Sequence, residues 1–80
     1  MENLFRNEHN KLVSIQLQAD KRGDKEFCTD LINKVEEISD SWGGMHVKGN
    51  LSKDDTASLI HSKHVLINYI KILIPKDKSD

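Results

Sequence analysis

Cysteine occurs once, at Cys28, and proline once, at Pro75. A single thiol excludes an internal disulfide framework and suits a reducing compartment. With glycine only at positions 23, 43, 44 and 49, three long stretches are free of both breakers. Charge of one sign is lacking too. Acids and bases nearly cancel, 13 against 12, and are interspersed along the chain, which announces neither a broad phosphate-binding surface nor a nucleic-acid mimic.

Long hydrophobic runs are also missing. The richest segment, HSKHVLINYIKILIP from His61 to Pro75, is broken by Asn68 and Lys71 and is about half the roughly 20 apolar residues a bilayer span needs. A helix lying on anionic lipid would carry a more basic polar face. The opening residues hold Glu2, Arg6, Glu8 and Lys11 with no unbroken apolar core, so neither a secretory signal nor a transit peptide is expected. The expectation is a cytoplasmic protein with no membrane partner.

At 80 residues the chain is one domain, residues 1–80. A chain this short buries only about 60% of the surface its unfolded form exposes, and small folds usually gain stability from disulfides, a metal or a partner. With no disulfide available, a partner is the natural expectation.

Three elements follow from punctuation and periodicity. In the middle, Phe27, Cys28, Leu31, Ile32, Val35, Ile38 and Trp42 fall within an arc of roughly 140°, while Asp30, Glu36, Glu37 and Asp40 cover the other side. Asp24 suits the N-cap and Gly43 the left-handed residue that ends a helix. In the last element, Ser52 is the candidate N-cap, with Asp55 in capping-box position, Lys71 and Lys76 near the far end and Pro75 as the stop. The first element is ambiguous. Residues 12–19 include the strand-like alternation Val13, Ile15, Leu17 and Ala19, yet Leu4, Phe5, Leu12, Ile15 and Ala19 also share one helical face, and Lys21, Arg22 and Gly23 suit a helix end. No second strand offers itself, so helix is favoured. The predicted fold is all-α: a small three-helix up-down-up bundle, with helices at about 3–22, 24–42 and 53–74, and homodimerisation as one way to complete it. Residues 43–50 form a longer, looser connection.

Few residues point to chemistry. His61 and His64 share a helix face, but zinc takes three or four ligands and no pattern supplies the others. Cys28 lies inside an apolar arc, where a thiol behaves as a small hydrophobe. The glycines of WGGMHVKGN lack the lysine-serine ending of a phosphate loop, and Glu36, Glu37 and Asp40 read as a solvated face. RGD at 22–24 and the sequon Asn50-Leu51-Ser52 are short patterns whose extracellular context is absent. No enzyme, metal or cofactor is expected. A nucleic-acid regulator would use His61, His64, Asn68 and Lys71, backed by Lys53 and Lys63, but Asp54 and Asp55 stand where phosphates would approach.

The strongest functional signal is a surplus of apolar surface. Leu59, Ile60, Leu66, Ile67, Ile70, Leu73 and Ile74 form one arc of the last helix, and Val65, Tyr69 and Ile72 form a second stripe outside it. In the first helix Val13 and Leu17 pair off the main arc in the same way. A small bundle has no central position for a helix apolar on two sides, so the second stripe is expected to meet a partner unless the long helix is wedged between its neighbours. Trp42 and Met45, at the entry to the glycine-rich loop, are further candidate contacts, although Trp42 also sits on the core arc. The expected role is a small protein-binding regulator, an inhibitor, immunity or adaptor protein, acting through Val13, Leu17, Trp42, Met45, Val65, Tyr69 and Ile72.

Overall fold

A computed structural model describes residues 3–21 and 23–74. Among them the chain is all-helical, with α1 at Leu4–Asp20, α2 at Lys25–Asp40, α3 at Trp42–Val47 and α4 at Lys53–Leu73. Residues 12–19 belong to α1, which settles the helix-or-strand ambiguity. Arg22, Pro75 and Lys76, read as helix-ending signals, lie outside the described residues.

Each long helix begins on a side chain that takes up a free amide of the first turn. Asn3 Oδ1 accepts from the Arg6 N–H at 3.1 Å, Asp24 Oδ1 from that of Phe27 at 2.8 Å, and Ser52 Oγ from that of Asp55 at 3.0 Å. Gly23, just before the Asp24 cap, is needed for close approach: a Cβ there would collide with the Phe27 side chain.

The expectation for Gly43 is corrected. α2 stops at Asp40, where the Ser41 hydroxyl donates to the Ile38 carbonyl at 2.9 Å, and the chain re-enters a helix at Trp42. Gly43 therefore lies inside α3. The left-handed residue is Gly49, with φ +82. Its N–H bonds the His46 carbonyl at 2.9 Å, and the Asn50 N–H bonds that of Met45 at 2.8 Å, the paired pattern of a Schellman stop. The supposed loose loop is mostly this short helix and its stop, and it delivers Leu51 to the core at 2% exposure.

Each long helix packs against the other two, and α3 against α2 and α4. The core joins Leu12, Ile15 and Ala19 of α1 and Cys28, Leu31 and Val35 of α2 to Leu59, Leu66, Ile67 and Ile70 of α4, with Trp42 and Leu51 closing one end. Burying one such large aliphatic side chain stabilises the fold by about 1.5–3 kcal/mol. Ile60 departs from its assignment to the core arc: it lies at the arc's edge and stays exposed.

Glu8 is an unexpected member of the interior. Its side chain is almost fully buried, accepting from the Trp42 indole N–H at 3.0 Å on Oε1 and from Lys11 Nζ at 2.9 Å on Oε2. The bond ties α1 to the start of α3, and both carboxylate oxygens have partners, as a buried acid requires.

Candidate docking surface

α1 and α4 lie side by side, and the seam between them opens into a groove of about 360 Å³. Leu12 and Leu66, both buried, contribute from the core side, while His9, Val13 and Gln16 line it from α1 and His61, Val65 and Tyr69 from α4. Two apolar groups from separate sequence segments thus adjoin: Val13 and Val65, 52 residues apart, share one groove. The spacing of residues within each helix gives no information about that pairing, which depends on how α1 and α4 meet.

The seven candidate contacts divide into three groups. Val13 and Val65 line the groove and remain 39% and 54% exposed. Leu17 and Ile72 do not line it and are 59% and 79% exposed. On a wheel of about 100° per residue each lies roughly opposite the buried arc of its own helix, so both extend the apolar strip outward. Tyr69 also lines the groove but is half-buried, and its hydroxyl donates to Asp20 Oδ1. It therefore pins the C-terminal part of α4 to the end of α1 as well as contributing its ring.

Trp42 and Met45 belong elsewhere. The Trp42 ring is 2% exposed with its N–H taken up by Glu8, so its assignment as a partner contact is withdrawn in favour of the core role. Met45 is half-buried and packs against the same core, and neither lines the groove.

The polar candidates also separate. His61 faces the groove whereas His64 does not line it, and both are exposed. His9 stacks on Phe5, ring centroids 5.9 Å apart, and His46 Nδ1 lies 3.0 Å from the Leu51 carbonyl oxygen. Among the described residues no three side chains of metal-ligating type converge. Of the basic side chains behind the His61–Lys71 face, Lys63 is held by Glu36 at 3.1 Å. The Cys28 thiol is wholly buried.

Sequence reasoning missed Glu8, although a signal was present. On the α1 wheel Glu8 falls in the middle of the arc made by Leu4, Phe5, Leu12, Ile15 and Ala19, where a carboxylate is tolerated only with partners. Comparison of the chain with models of known families, with curated proteins and with solved structures gave no match. Among the described residues, no helix is long and apolar enough to cross a membrane.

Proposed function

We propose that the chain is a small, non-enzymatic, cytoplasmic protein-binding regulator, of the inhibitor, immunity or adaptor kind. It docks through the apolar strip that runs across α1 and α4. In the arrangement proposed, α1, α2 and α4 run up, down and up. The contact of Asp20, at the end of α1, with Tyr69, near the end of α4, supports α1 and α4 running in the same direction.

The observation that carries this reading is the meeting of Val13 and Val65 in one groove, flanked by the exposed Leu17 and Ile72. Four large aliphatic side chains left open on one pair of helices, in a fold that already has a continuous core beneath them, are the kind of surface that usually serves recognition. Their rim is amide, imidazole and hydroxyl, from Gln16, His9, His61 and Ser62. Such groups can hydrogen-bond a protein surface. The alternative of nucleic-acid binding through His61, His64, Asn68 and Lys71 is less well supported, because Lys63 is already engaged by Glu36 and Asp54 and Asp55 sit in the first turn of the same helix.

The test is binding from the source cell with matched variants. The native chain and an exposed α2 control, Asn33→Asp, retain the same protein, and Val65→Asp and Ile72→Asp lose it. The retained protein, once purified, then binds the native chain at least tenfold more tightly than Val65→Asp by calorimetry. Equal binding by Val65→Asp and the native chain would overturn the proposal, and retained nucleic acid that is released steeply by salt would favour the alternative.

A further inference from the structure

Arg6, Val13 and Asp20 stand seven residues apart on α1, so they share one stripe, drifting by only about 20° per heptad. All three are exposed. The stripe reads cation, apolar centre, anion. This order is complementary to its own reverse. An antiparallel copy centred on Val13 sets Arg6 opposite Asp20, a pair that occurs twice by symmetry. A parallel copy would set Arg6 on Arg6 and Asp20 on Asp20.

We infer that the α1/α4 face seats a second copy of the chain across a two-fold axis that passes over Val13 and Val65. α1 then lies antiparallel to α1 of the other copy, and α4 antiparallel to α4. This rests on the strip being a protein-docking surface, as proposed above, and names its occupant. Val13 and Val65 line the same groove, so an axis perpendicular to the helices at that level runs over both, and each surface meets itself as an isologous contact must. On α4 the same rotation sets Ser58 opposite Ile72, with no like charges opposed among the described residues of either stripe. The competing two-fold, along the helices, would lay α1 on α4 of the other copy. Aligned at Val13 and Val65, that arrangement sets Arg6 against Ser58 and Asp20 against Ile72, which gives neither a counter-charge and leaves Asp20 only the Tyr69 hydroxyl of its own chain.

The contact is small. From Arg6 to Asp20 the helix rises about 21 Å, so the interface belongs at the low end of the size range and the dimer forms with rising concentration. Sedimentation or light scattering between about 10 µM and about 1 mM reads it directly. The native chain should move from one chain mass towards two. Arg6→Asp and Asp20→Arg should each raise the dissociation constant about tenfold, because one reversal turns two symmetry-related attractions into repulsions. The combined Arg6→Asp/Asp20→Arg chain should return to within about threefold of the native value, since the two pairs are restored with their signs exchanged. Asp20→Arg also removes the acceptor of the Tyr69 hydroxyl, so Arg6→Asp is the cleaner single variant, and unchanged helicity by circular dichroism confirms that each variant is folded. A native chain that stays monomeric throughout, or a doubly reversed chain as weak as the singles, would overturn the self-docking geometry. Either result would leave the docking of a different protein to be decided by the Val65→Asp comparison above.

Discussion

The Trp42 indole N–H donates to Glu8 Oε1 at 3.0 Å, joining two side chains that are both 2% exposed and 34 residues apart in sequence. The carboxylate is kept in the interior by that bond and by Lys11 Nζ on its other oxygen. Lys11 itself is about half exposed, so water screens its attraction and the indole bond is the better-protected contact. Glu8→Ala strands the indole N–H and opens a cavity, for an expected loss of about 2–3 kcal/mol. Glu8→Gln keeps an acceptor for the indole and should lose less. Urea unfolding followed by fluorescence measures both, because Trp42 is the sole tryptophan. Equal stability of Glu8→Ala and the native chain would show that the bond contributes nothing net.

Glycine substitutions should change sign between α3 and its stop. Gly43 and Gly44 lie within the helix and a Cβ at either meets nothing within 4 Å, so Gly43→Ala and Gly44→Ala should each stabilise by about 0.5–1 kcal/mol through a less flexible unfolded chain. Gly49 holds φ +82. There Gly49→Ala forces a side chain into left-handed backbone and should destabilise by about 1–2 kcal/mol. Thermal unfolding of the three variants separates the predictions by sign alone.

Gly23→Ala acts through a different cause. The new methyl would meet the Cβ and ring of Phe27, near the base of that side chain, where a rotation cannot clear it. Moving Phe27 disturbs the first turn of α2 and its Asp24 cap, at an expected cost of about 1–3 kcal/mol. Denaturant midpoints measure it, and an unchanged midpoint would mean that the turn gives way freely.

Much of this architecture is legible in local pattern. Asp24 and Ser52 announce helix starts because a carboxylate or hydroxyl at that position answers an otherwise free amide, and both make the expected bond. The α2 arc from Phe27 to Ile38 is the face it turns inward, and Cys28 is buried as its place in that arc implies. What could not be read is set by contacts between segments. Two glycines in a row argue against a helix at Gly43 and Gly44, yet the stop at Gly49 and the burial of Trp42 and Leu51 hold α3 in place. A wheel orients side chains about their own axis and says nothing of which flank a neighbour covers. Hence Ile60 falls outside the core, and Tyr69 packs half-buried against it with its hydroxyl on Asp20. The adjacency of Val13 and Val65 is of the same kind, and without it the apolar strip is two unrelated pairs.

Tyr69→Phe isolates the hydroxyl from the ring. The variant keeps the aromatic face in the groove and loses the donor to Asp20, so stability should fall by about 1 kcal/mol. Self-association should change by less than about threefold, since the ring and not the hydroxyl belongs to the apolar strip. Denaturation and sedimentation on one preparation give both numbers. A large loss of association with little loss of stability would move the hydroxyl from an intramolecular brace to a contact with the partner.

Ile70 and Ile72, two residues apart on α4, should separate folding from docking. Ile70 is fully buried and Ile72 is 79% exposed, because a step of two residues turns the helix by about 200°. Ile70→Ala removes core volume and should destabilise by about 2–5 kcal/mol. Ile72→Ser removes surface that folding leaves in water, so stability should stay within about 0.5 kcal/mol. The same change takes an apolar contact out of the strip, and the dissociation constant of the self-association should rise several-fold. Val65→Ser, at the centre of the strip and on the proposed axis, should weaken association more than Ile72→Ser, because symmetry brings the two copies of residue 65 together and desolvates them most fully. If Ile72→Ser destabilised the fold as much as Ile70→Ala, the exposed stripe would be part of the monomer's own packing, and the case for a docking strip would lose its outer half.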